Sequence, residues 1–364
     1  MGFRCGIVGL PNVGKSTIFN ALTAAGIESA NYPFCTIEPN VGMVPVPEKR
    51  LDILAELAKT KRTVYAQMEF VDIAGLVSGA SKGEGLGNQF LGHIRQVDAI
   101  AHVVRCFEDT NIVHVDGSID PLRDRDVINT ELILADLDSV ERRLDRTRSQ
   151  AKSGDKLFKA QVVILEQLQG LLDSGKPARL LDTNDAGKAL LKELCLLTAK
   201  PVLYVANVSE EDITTGNNWV DQLKETAQEE GAAVVIISGA IESELSTLGP
   251  EEQIDFLADM GMEESGLNRL IRAGYSLLGL INYFTVGEKE TRAWTLPENT
   301  KAPQAAGVIH TDFERGFIRA EVIKYADFIS CGSENKVKEK GLMRLEGKEY
   351  IVRDGDCVNF RFNV

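Results

Sequence analysis

The stretch "GLPNVGKST" contains glycine, lysine and serine in the order G-x-x-x-x-G-K-S, at Gly9, Gly14, Lys15 and Ser16. Glycines at these places let the backbone curl so that successive N–H groups face the oxygens of a phosphate group. Lys15 is expected to reach the β- and γ-phosphates of a nucleoside triphosphate, and Ser16 is expected to ligate Mg²⁺. A predicted strand precedes the stretch and a predicted helix follows it, so the sequence indicates a phosphate-binding loop (P-loop).

Two further stretches supply groups for the metal ion and the γ-phosphate. Asp72, in "DIAG", follows a strand and is predicted to hold Mg²⁺ through water, while Gly75 can offer its N–H to the γ-phosphate. Thr36, in "NYPFCTIEPN", is the candidate to complete the Mg²⁺ shell, and an ordinary loop threonine is the alternative. The glycine-rich stretch that follows Asp72 is typical of a mobile second switch.

The sequence leaves open which group drives hydrolysis. Ras-like switches have a glutamine directly after this glycine, but Leu76 stands here and cannot orient a water molecule. Asn12, in the P-loop, is either a ligand for a bridging potassium ion or an ordinary polar loop residue. His114, in "EDTNIVHVDGS", is a candidate to orient the attacking water, because imidazole titrates near neutral pH; an exposed loop histidine is the alternative.

The stretch "NVSE", from Asn207 to Glu210, stands where a guanine-nucleotide switch would have Asn-Lys-x-Asp. The aspartate of that motif accepts hydrogen bonds from guanine N1–H and the 2-amino group, and adenine has neither donor. Val208 replaces the lysine with an apolar contact, Asn207 can still bond N7 and a 6-amino group, and Phe107 can supply an aromatic face. The motif therefore predicts a purine pocket in which adenine is acceptable, without showing that adenine is preferred.

Residues 1–125 and 200–280 alternate short apolar strands with helices. The predicted strands are "RCGIVG", "AQMEFVDIAG", "AIAHVVRCF", "KPVLYVANVS" and "AAVVIISGA", and the predicted helices are "KSTIFNALTAAG", ending at Gly26, and "NWVDQLKETAQEEG". This alternation predicts a parallel, doubly wound α/β sheet.

Residues 126–199 interrupt the alternation with two amphipathic helices separated by "SGD", the first capped by Asn129 or Thr130 and the second ending at Gly175. They predict an inserted antiparallel helical hairpin. Its basic residues could contact a phosphate backbone, and a solvated helix face is the alternative. These residues are Arg142, Arg143, Arg146, Arg148, Lys152, Lys156 and Lys159.

Residues 281–364 predict a small β-rich domain, with a final hairpin turning at Asp354-Gly355 and a helix from Tyr325 to Ser330. The chain has 364 residues, enough for two or three domains, and no apolar run of membrane-spanning length. Its six cysteines contain no C-x-x-C pair, which fits a reducing cytoplasm. A net charge of −14 argues against indiscriminate nucleic-acid binding by the whole surface.

The motifs "GLPNVGKST", "NYPFCTIEPN", "VDIAGLVSGASKGEGLGNQF", "NVSE", "SGA" and "TKAPQAAGVIHTDFERGFIRAEV" closely resemble the YchF subfamily of Obg-like ATPases, in the same order along essentially the whole chain. The resemblance implies a Ras-like P-loop NTPase domain that hydrolyses ATP more readily than GTP, an inserted coiled-coil arm and a C-terminal TGS domain of β-grasp type. It also implies Mg²⁺ as cofactor and a monomer that binds the 70S ribosome, the large subunit and their RNA, in translation or stress regulation.

The resemblance also assigns roles to single residues. Lys15, Gly75 and His114 would act in catalysis, and Ser16, Thr36 and Asp72 would hold Mg²⁺. The nucleotide would be bound by Asn12, Val13, Gly14, Lys15, Ser16, Thr17, Phe107, Asn207, Val208 and Ser238. Two other functions stay open from the sequence: an Obg-type GTPase assembly factor in which Glu210 still reads guanine, and a ribosome-bound scaffold whose nucleotide site is structural.

Overall fold

A computed structural model describes residues 3–29, 40–73, 86–115 and 117–363. The chain divides into two compact units, here called the first unit (residues 1–44 and 69–274) and the second unit (residues 45–68 and 275–364). The helical insertion belongs to the first unit. The sequence predicted that residues 45–68 belong to the sheet domain, and that prediction was wrong, because this segment lies in the second unit.

The strands are β1 Arg4–Val8, β2 Val41–Pro45, β3 Thr63–Val64, β4 Gln67–Asp72, β5 Ala99–Arg105, β6 Val202–Asn207, β7 Ala233–Ile237, β8 Leu280–Thr285, β9 Thr291–Pro297, β10 Phe317–Lys324, β11 Arg344–Glu346 and β12 Asp356–Phe362. The helices are α1 Lys15–Ser29, α2 Lys49–Leu57, α3 Leu86–Arg95, α4 Pro121–Ala151, α5 Lys156–Asp173, α6 Asp185–Leu194, α7 Asn218–Glu229, α8 Gly239–Leu245, α9 Pro250–Asp259, α10 Gly266–Leu277, α11 Ala302–Ile309, α12 Thr311–Arg315, α13 Tyr325–Cys331 and α14 Glu334–Glu339.

The first unit contains a six-stranded sheet with the order β2-β4-β1-β5-β6-β7. β1 pairs in parallel with β4 and β5, and β6 pairs in parallel with β5 and β7, which confirms the predicted doubly wound α/β fold. Every residue of β5 and β6 is buried, as expected of central strands in a sheet covered on both faces. Because Arg105 is the register partner of Asn207, the carboxyl ends of β5 and β6 lie side by side.

Two predicted helix boundaries were wrong. α1 continues past Gly26 to Ser29. α4 begins at Pro121, where Asp120 caps the helix by accepting a hydrogen bond from the Arg123 N–H, so the predicted caps Asn129 and Thr130 lie inside it. An aspartate followed by proline is a strong start signal, because the carboxylate satisfies a free N–H and proline lacks the N–H that would be left unpaired.

α4 and α5 form the predicted helical hairpin, with a turn at Ser153–Asp155 and Asp155 as the cap of α5. Apolar side chains spaced three or four residues apart on both helices form one buried cluster with α6. Its fully buried members include Val140, Leu144, Leu165, Leu168 and Leu172. The hairpin is therefore held together by a hydrophobic core that it shares with α6.

Asp136 of α4 attaches the hairpin to the segment that enters β6. The side chain is 2% exposed and accepts hydrogen bonds from Leu197 N (2.8 Å), Thr198 N (2.7 Å) and Thr198 Oγ1 (2.6 Å). Replacing Asp136 with alanine would leave these buried donors without acceptors, so we expect the free energy of unfolding to fall by about 3 kcal/mol, measured by urea denaturation.

Asp138→Ala is the matched control for this prediction. Asp138 lies on the same helix and pairs with Arg142 at the surface. Its loss should cost less than about 0.5 kcal/mol. Equal destabilisation by the two substitutions would contradict the role assigned to Asp136.

The second unit contains a mixed six-stranded sheet with the order β11-β10-β12-β8-β9-β3. β8 pairs antiparallel with β9, β10 pairs antiparallel with β11 and β12, and the contacts of β12 with β8 and of β3 with β9 are parallel. The predicted final hairpin was wrong, since Ile351 forms only an isolated bridge with Lys301 and β12 pairs with β10 and β8. The predicted helix at Tyr325–Ser330 is confirmed as α13.

Side chains that are far apart in sequence connect residues 45–68 to the rest of the second unit. Arg50 donates to Asp354 at 2.6 Å and also bonds Glu48, and Thr60 Oγ1 lies 2.6 Å from Thr291 Oγ1. The segment thus adds α2 to the second unit and the edge strand β3 to its sheet. In the described part of the chain, no helix combines the length and hydrophobicity needed to span a bilayer.

Candidate nucleotide site

The P-loop connects β1 to α1 at the carboxyl edge of the first sheet. Gly14 has a left-handed φ of +98°, which favours glycine, and its carbonyl accepts the Ile18 N–H as α1 begins. Lys15 is buried, and its Nζ donates to Leu10 O at 2.6 Å. Ser16 and Thr17 are exposed at the start of the helix. The loop therefore has the strand–loop–helix context that its sequence predicts.

Asp72, the last residue of β4, lies close enough to Lys15 for the two charges to interact. Burial lowers the pKa of Lys15 to about 8, and the nearby Asp72 carboxylate opposes this shift. Burial raises the pKa of Asp72, and Lys15 opposes that shift in turn. Each group thus stabilises the charged form of the other.

Asp72 Oδ1 is buried and has no hydrogen-bond partner within the described ranges. An unsatisfied carboxylate oxygen at Asp72 and an exposed hydroxyl at Ser16 are both groups that fit Mg²⁺, which prefers oxygen ligands and retains several waters. Thr36, Gly75, Leu76 and most of the predicted second switch lie outside the described residues. Their proposed roles therefore stay predictions.

A cavity of about 480 Å³ opens beside the P-loop, within the size range of small-molecule sites. It brings together seven of the predicted nucleotide-binding residues: Asn12, Gly14, Thr17, Phe107, Asn207, Val208 and Ser238. Carboxylates that the prediction did not include also line it, namely Glu108, Asp109 and Glu211, together with Glu210. A larger cavity of about 910 Å³, lined by Asp120, Asp126 and Gln222 among others, contains none of the predicted residues.

Asn207, the last residue of β6, braces two loops of the site. Its Nδ2 donates to Val13 O at 2.9 Å, and its Oδ1 accepts from Gly239 N at 3.0 Å. An amide group retains one N–H and one lone pair after these two bonds, so contact with a purine is still possible. Val208 is buried beside it, and the Ser238 Oγ is buried without a hydrogen-bond partner in the part of the chain that is described.

We expect Asn207→Ala to weaken ADP binding about 30-fold, because it removes two buried hydrogen bonds that hold the P-loop against the loop after β7. Isothermal titration calorimetry measures the change directly. Asn129→Ala is the control, since Asn129 bonds Tyr204 at 3.4 Å and does not line the cavity. Unchanged ADP affinity in Asn207→Ala would show that the brace is dispensable.

His114 lies in the segment that follows β5 and is 8% exposed, so the alternative of an exposed loop histidine is wrong. Its Nε2 is 2.7 Å from Oδ2 of Asp124, a residue of α4 that is itself 1% exposed. Arg123 Nη2 is 3.1 Å from the other carboxylate oxygen, Asp124 Oδ1. Sequence reasoning missed Asp124, because its partner lies outside the helix and only folding brings the two together.

Asn12 connects the P-loop to the same segment. Its Nδ2 donates to Val113 O at 3.1 Å, and its own φ of 62° is left-handed, a conformation that asparagine tolerates. The amide oxygen of Asn12 is chemically suited to bind a cation, and its coordination of potassium stays a prediction. This hydrogen bond therefore joins the P-loop to Val113, the residue directly before His114.

The strand order and the positions of these loops define the class of protein. A P-loop after the first strand, an aspartate at the end of the adjacent strand β4 and an asparagine at the end of β6 are the arrangement of Ras-like P-loop NTPases. Residues 4–136 match the family described as "50S ribosome-binding GTPase", in agreement with this class. Residues 280–363 match a C-terminal YchF family described as "Protein of unknown function (DUF933)".

Full-length relatives narrow the class further. The ribosome-binding ATPase YchF of Haemophilus influenzae is 59% identical over 364 residues, covering 100% of both chains, and that of Bacillus subtilis is 56% identical over 366 residues with the same coverage. The structure of the Schizosaccharomyces pombe YchF GTPase superposes with a TM-score of 0.90 at 41% identity, over 99% of this chain and 98% of that one. The chain belongs to the YchF family, as its motifs predicted.

Proposed function

We propose that the chain is a Mg²⁺-dependent ATPase that hydrolyses ATP to ADP and phosphate, favours ATP over GTP and acts as a nucleotide-controlled factor on cytoplasmic ribosomes. The observation that carries the proposal is the lining of the 480 Å³ cavity. The apolar Val208 stands where a guanine-specific site has lysine, and the half-buried ring of Phe107 lines the same cavity. The names of the Haemophilus influenzae and Bacillus subtilis relatives, both ribosome-binding ATPases, support it.

Each residue of the site has a role in this proposal. Lys15 and the P-loop N–H groups neutralise and orient the β- and γ-phosphates, and Ser16, Thr36 and Asp72 hold Mg²⁺. A bound Mg²⁺ supplies charge neutralisation on the phosphate oxygens. Gly75 donates to the γ-phosphate. His114 orients the attacking water, with a potassium ion at Asn12 as the competing explanation of the rate.

The ribosome contact is proposed for the helical hairpin, with the 70S ribosome and its large subunit as targets and the protein acting as a monomer. Three of its basic residues have acidic partners: Arg142 with Asp138, Arg143 with Glu193 and Arg148 with Glu166. The contact with RNA phosphates is therefore assigned to the remaining basic residues near the turn, which are Arg146, Lys152, Lys156 and Lys159.

A GTPase is the second candidate, because Glu210 lines the same cavity and the Schizosaccharomyces pombe relative is named a GTPase. Calorimetric titration of ADP and GDP, together with turnover of ATP and GTP with and without ribosomes, separates the two functions. The proposal expects tighter ADP binding and faster ATP turnover. Tighter binding of GDP would overturn it.

Lys15→Ala tests the third possibility, a scaffold whose nucleotide site is structural. We expect the variant to lose ATP hydrolysis and to fail to replace the wild-type gene in cells, because Lys15 contacts the phosphates whose charge must be neutralised. Full cellular function without hydrolysis would instead favour the scaffold.

A further inference from the structure

Arg105, the last residue of β5, is a buried cation to which the mechanism above gives no role. The whole residue is 1% exposed and ranks among the largest fully buried side chains of the protein. No acidic side chain forms an ion pair with it among residues 3–29, 40–73, 86–115 and 117–363. Burying a guanidinium without a carboxylate is costly, so its other contacts must offset that cost.

Three backbone carbonyls of the following loop accept hydrogen bonds from this one side chain. Nε donates to Phe107 O at 3.1 Å, Nη2 to Asp109 O at 3.2 Å and Nη1 to Ile112 O at 3.0 Å. The loop from Cys106 to Val113 therefore folds around the guanidinium. A planar group with five donors in a fixed geometry can hold three separate carbonyls, which a lysine ammonium does less well.

The same guanidinium lies against the aromatic ring that faces the purine pocket. Its Cζ is 4.7 Å from the centroid of the Phe107 ring, within the range of a cation–π contact. Phe107 also lines the 480 Å³ cavity, so the ring has a cation on one side and the cavity beside it. Arg105 thus restricts where the ring can lie.

The far end of the loop reaches the P-loop and the histidine segment. Ile112, which Arg105 holds through its carbonyl, is followed by Val113, whose carbonyl accepts the Asn12 hydrogen bond, and then by His114. The near end is fixed to β6, because Cys106 N donates to Asn207 O at 2.8 Å. One buried side chain therefore holds a single loop that carries Phe107 at the cavity and ends beside the P-loop.

We propose that Arg105 is a positioning residue that fixes both the purine-contacting ring of Phe107 and the Val113–His114 segment, so that nucleotide binding and hydrolysis depend on the same guanidinium. This inference rests on the proposed nucleotide hydrolysis at this site. Arg105→Met is expected to weaken ADP binding about tenfold and to lower kcat about tenfold, and Arg105→Lys to produce smaller losses of both, because lysine keeps the charge but fewer hydrogen bonds.

The test compares Arg105→Lys with Arg179→Lys. Arg179 is also largely buried and donates to Thr198 O and Glu230, but it does not line the nucleotide cavity. Binding is measured with fluorescent ADP and GDP, kcat at saturating ATP, and folding by thermal unfolding. We expect only Arg105→Lys to change binding and kcat. If Arg105→Met does not fold, Arg105→Lys decides the result.

Phe107→Ala separates positioning from general destabilisation. Phe107→Ala should weaken ADP binding, and combining it with Arg105→Lys should weaken ADP binding by less than the product of the single effects. Wild-type binding and kcat in Arg105→Lys, or fully independent effects in the double variant, would overturn the proposal. If the wild-type protein binds GDP more tightly than ADP, only the proposed ATP specificity is refuted. In that case Arg105→Lys should weaken GDP binding, and the positioning role of Arg105 would stand.

Discussion

Gly14→Ala is expected to weaken ADP binding at least about 100-fold and to abolish ATP hydrolysis. A methyl group at this position would lie 2.2 Å from Nδ2 of Asn207, and φ at Gly14 is +98°, a conformation that alanine adopts only under strain. Asn207 cannot retreat without losing its hydrogen bonds to Val13 O and Gly239 N. The substitution therefore displaces either the P-loop or the brace that holds it, and calorimetry with ADP measures the loss.

Gly170→Ala is the matched control for Gly14→Ala. Gly170 lies inside α5, and an added Cβ there meets no atom within 4 Å. Alanine should stabilise the helix by up to about 1 kcal/mol and leave ADP affinity unchanged. ADP binding by Gly14→Ala within threefold of wild type would show that the close contact between the P-loop and Asn207 does not govern the site.

His114→Ala is expected to lower kcat about 100-fold while ADP affinity changes less than about threefold, because a group that orients water acts mainly in the transition state. His114 is held by Asp124 at 2.7 Å, so the ring has a defined orientation rather than the freedom of an exposed loop. Asp124→Asn keeps the shape of the partner but removes its charge, and we expect an intermediate fall in kcat of about tenfold. Single-turnover kinetics at saturating ATP measure both effects.

His93→Ala is the control for His114→Ala, because His93 is an exposed histidine in the last turn of α3. Its kcat should remain at the wild-type value. A wild-type kcat in His114→Ala, with potassium dependence retained, would assign the rate to a cation at Asn12 instead. A loss of ADP affinity with unchanged kcat would make His114 a structural residue of the loop.

Most of the first unit could be predicted because its signals are local. Each signal depends on residues within a short window, because backbone geometry and the spacing of apolar side chains determine whether a helix, strand or loop forms. These signals are the P-loop glycines, the apolar runs of β5 and β6, and the helical spacing of α4 and α5. The errors also have local causes: Asp120-Pro121 starts α4 earlier than the caps that were chosen, and α1 tolerates Gly26 in its interior. Thr36, Gly75 and Leu76 lie outside the described residues, so their roles stay predictions.

The charged end of "AIAHVVR" was the one sequence signal for Arg105, since a charge that closes an apolar strand needs buried partners. Its three acceptors lie within seven residues, yet no pattern in those residues shows that their carbonyls converge. His114 and Asp124 are ten residues apart, and their burial depends on packing around α4 rather than on the residues between them. Side-chain partners of this kind follow only from the folded loop.

Local sequence patterns were therefore sufficient to predict the class of fold, the P-loop and the loss of the guanine-reading lysine and aspartate, because each of these depends on residues that are close together in the sequence. The folded chain alone shows that residues 45–68 join the second unit, through contacts such as Arg50 with Asp354, which are 304 positions apart. It alone shows the brace between Asn207 and Val13, 194 positions apart. The physical reason is that hydrogen bonds and strand pairing depend on distance in space, whereas a motif records only distance along the chain.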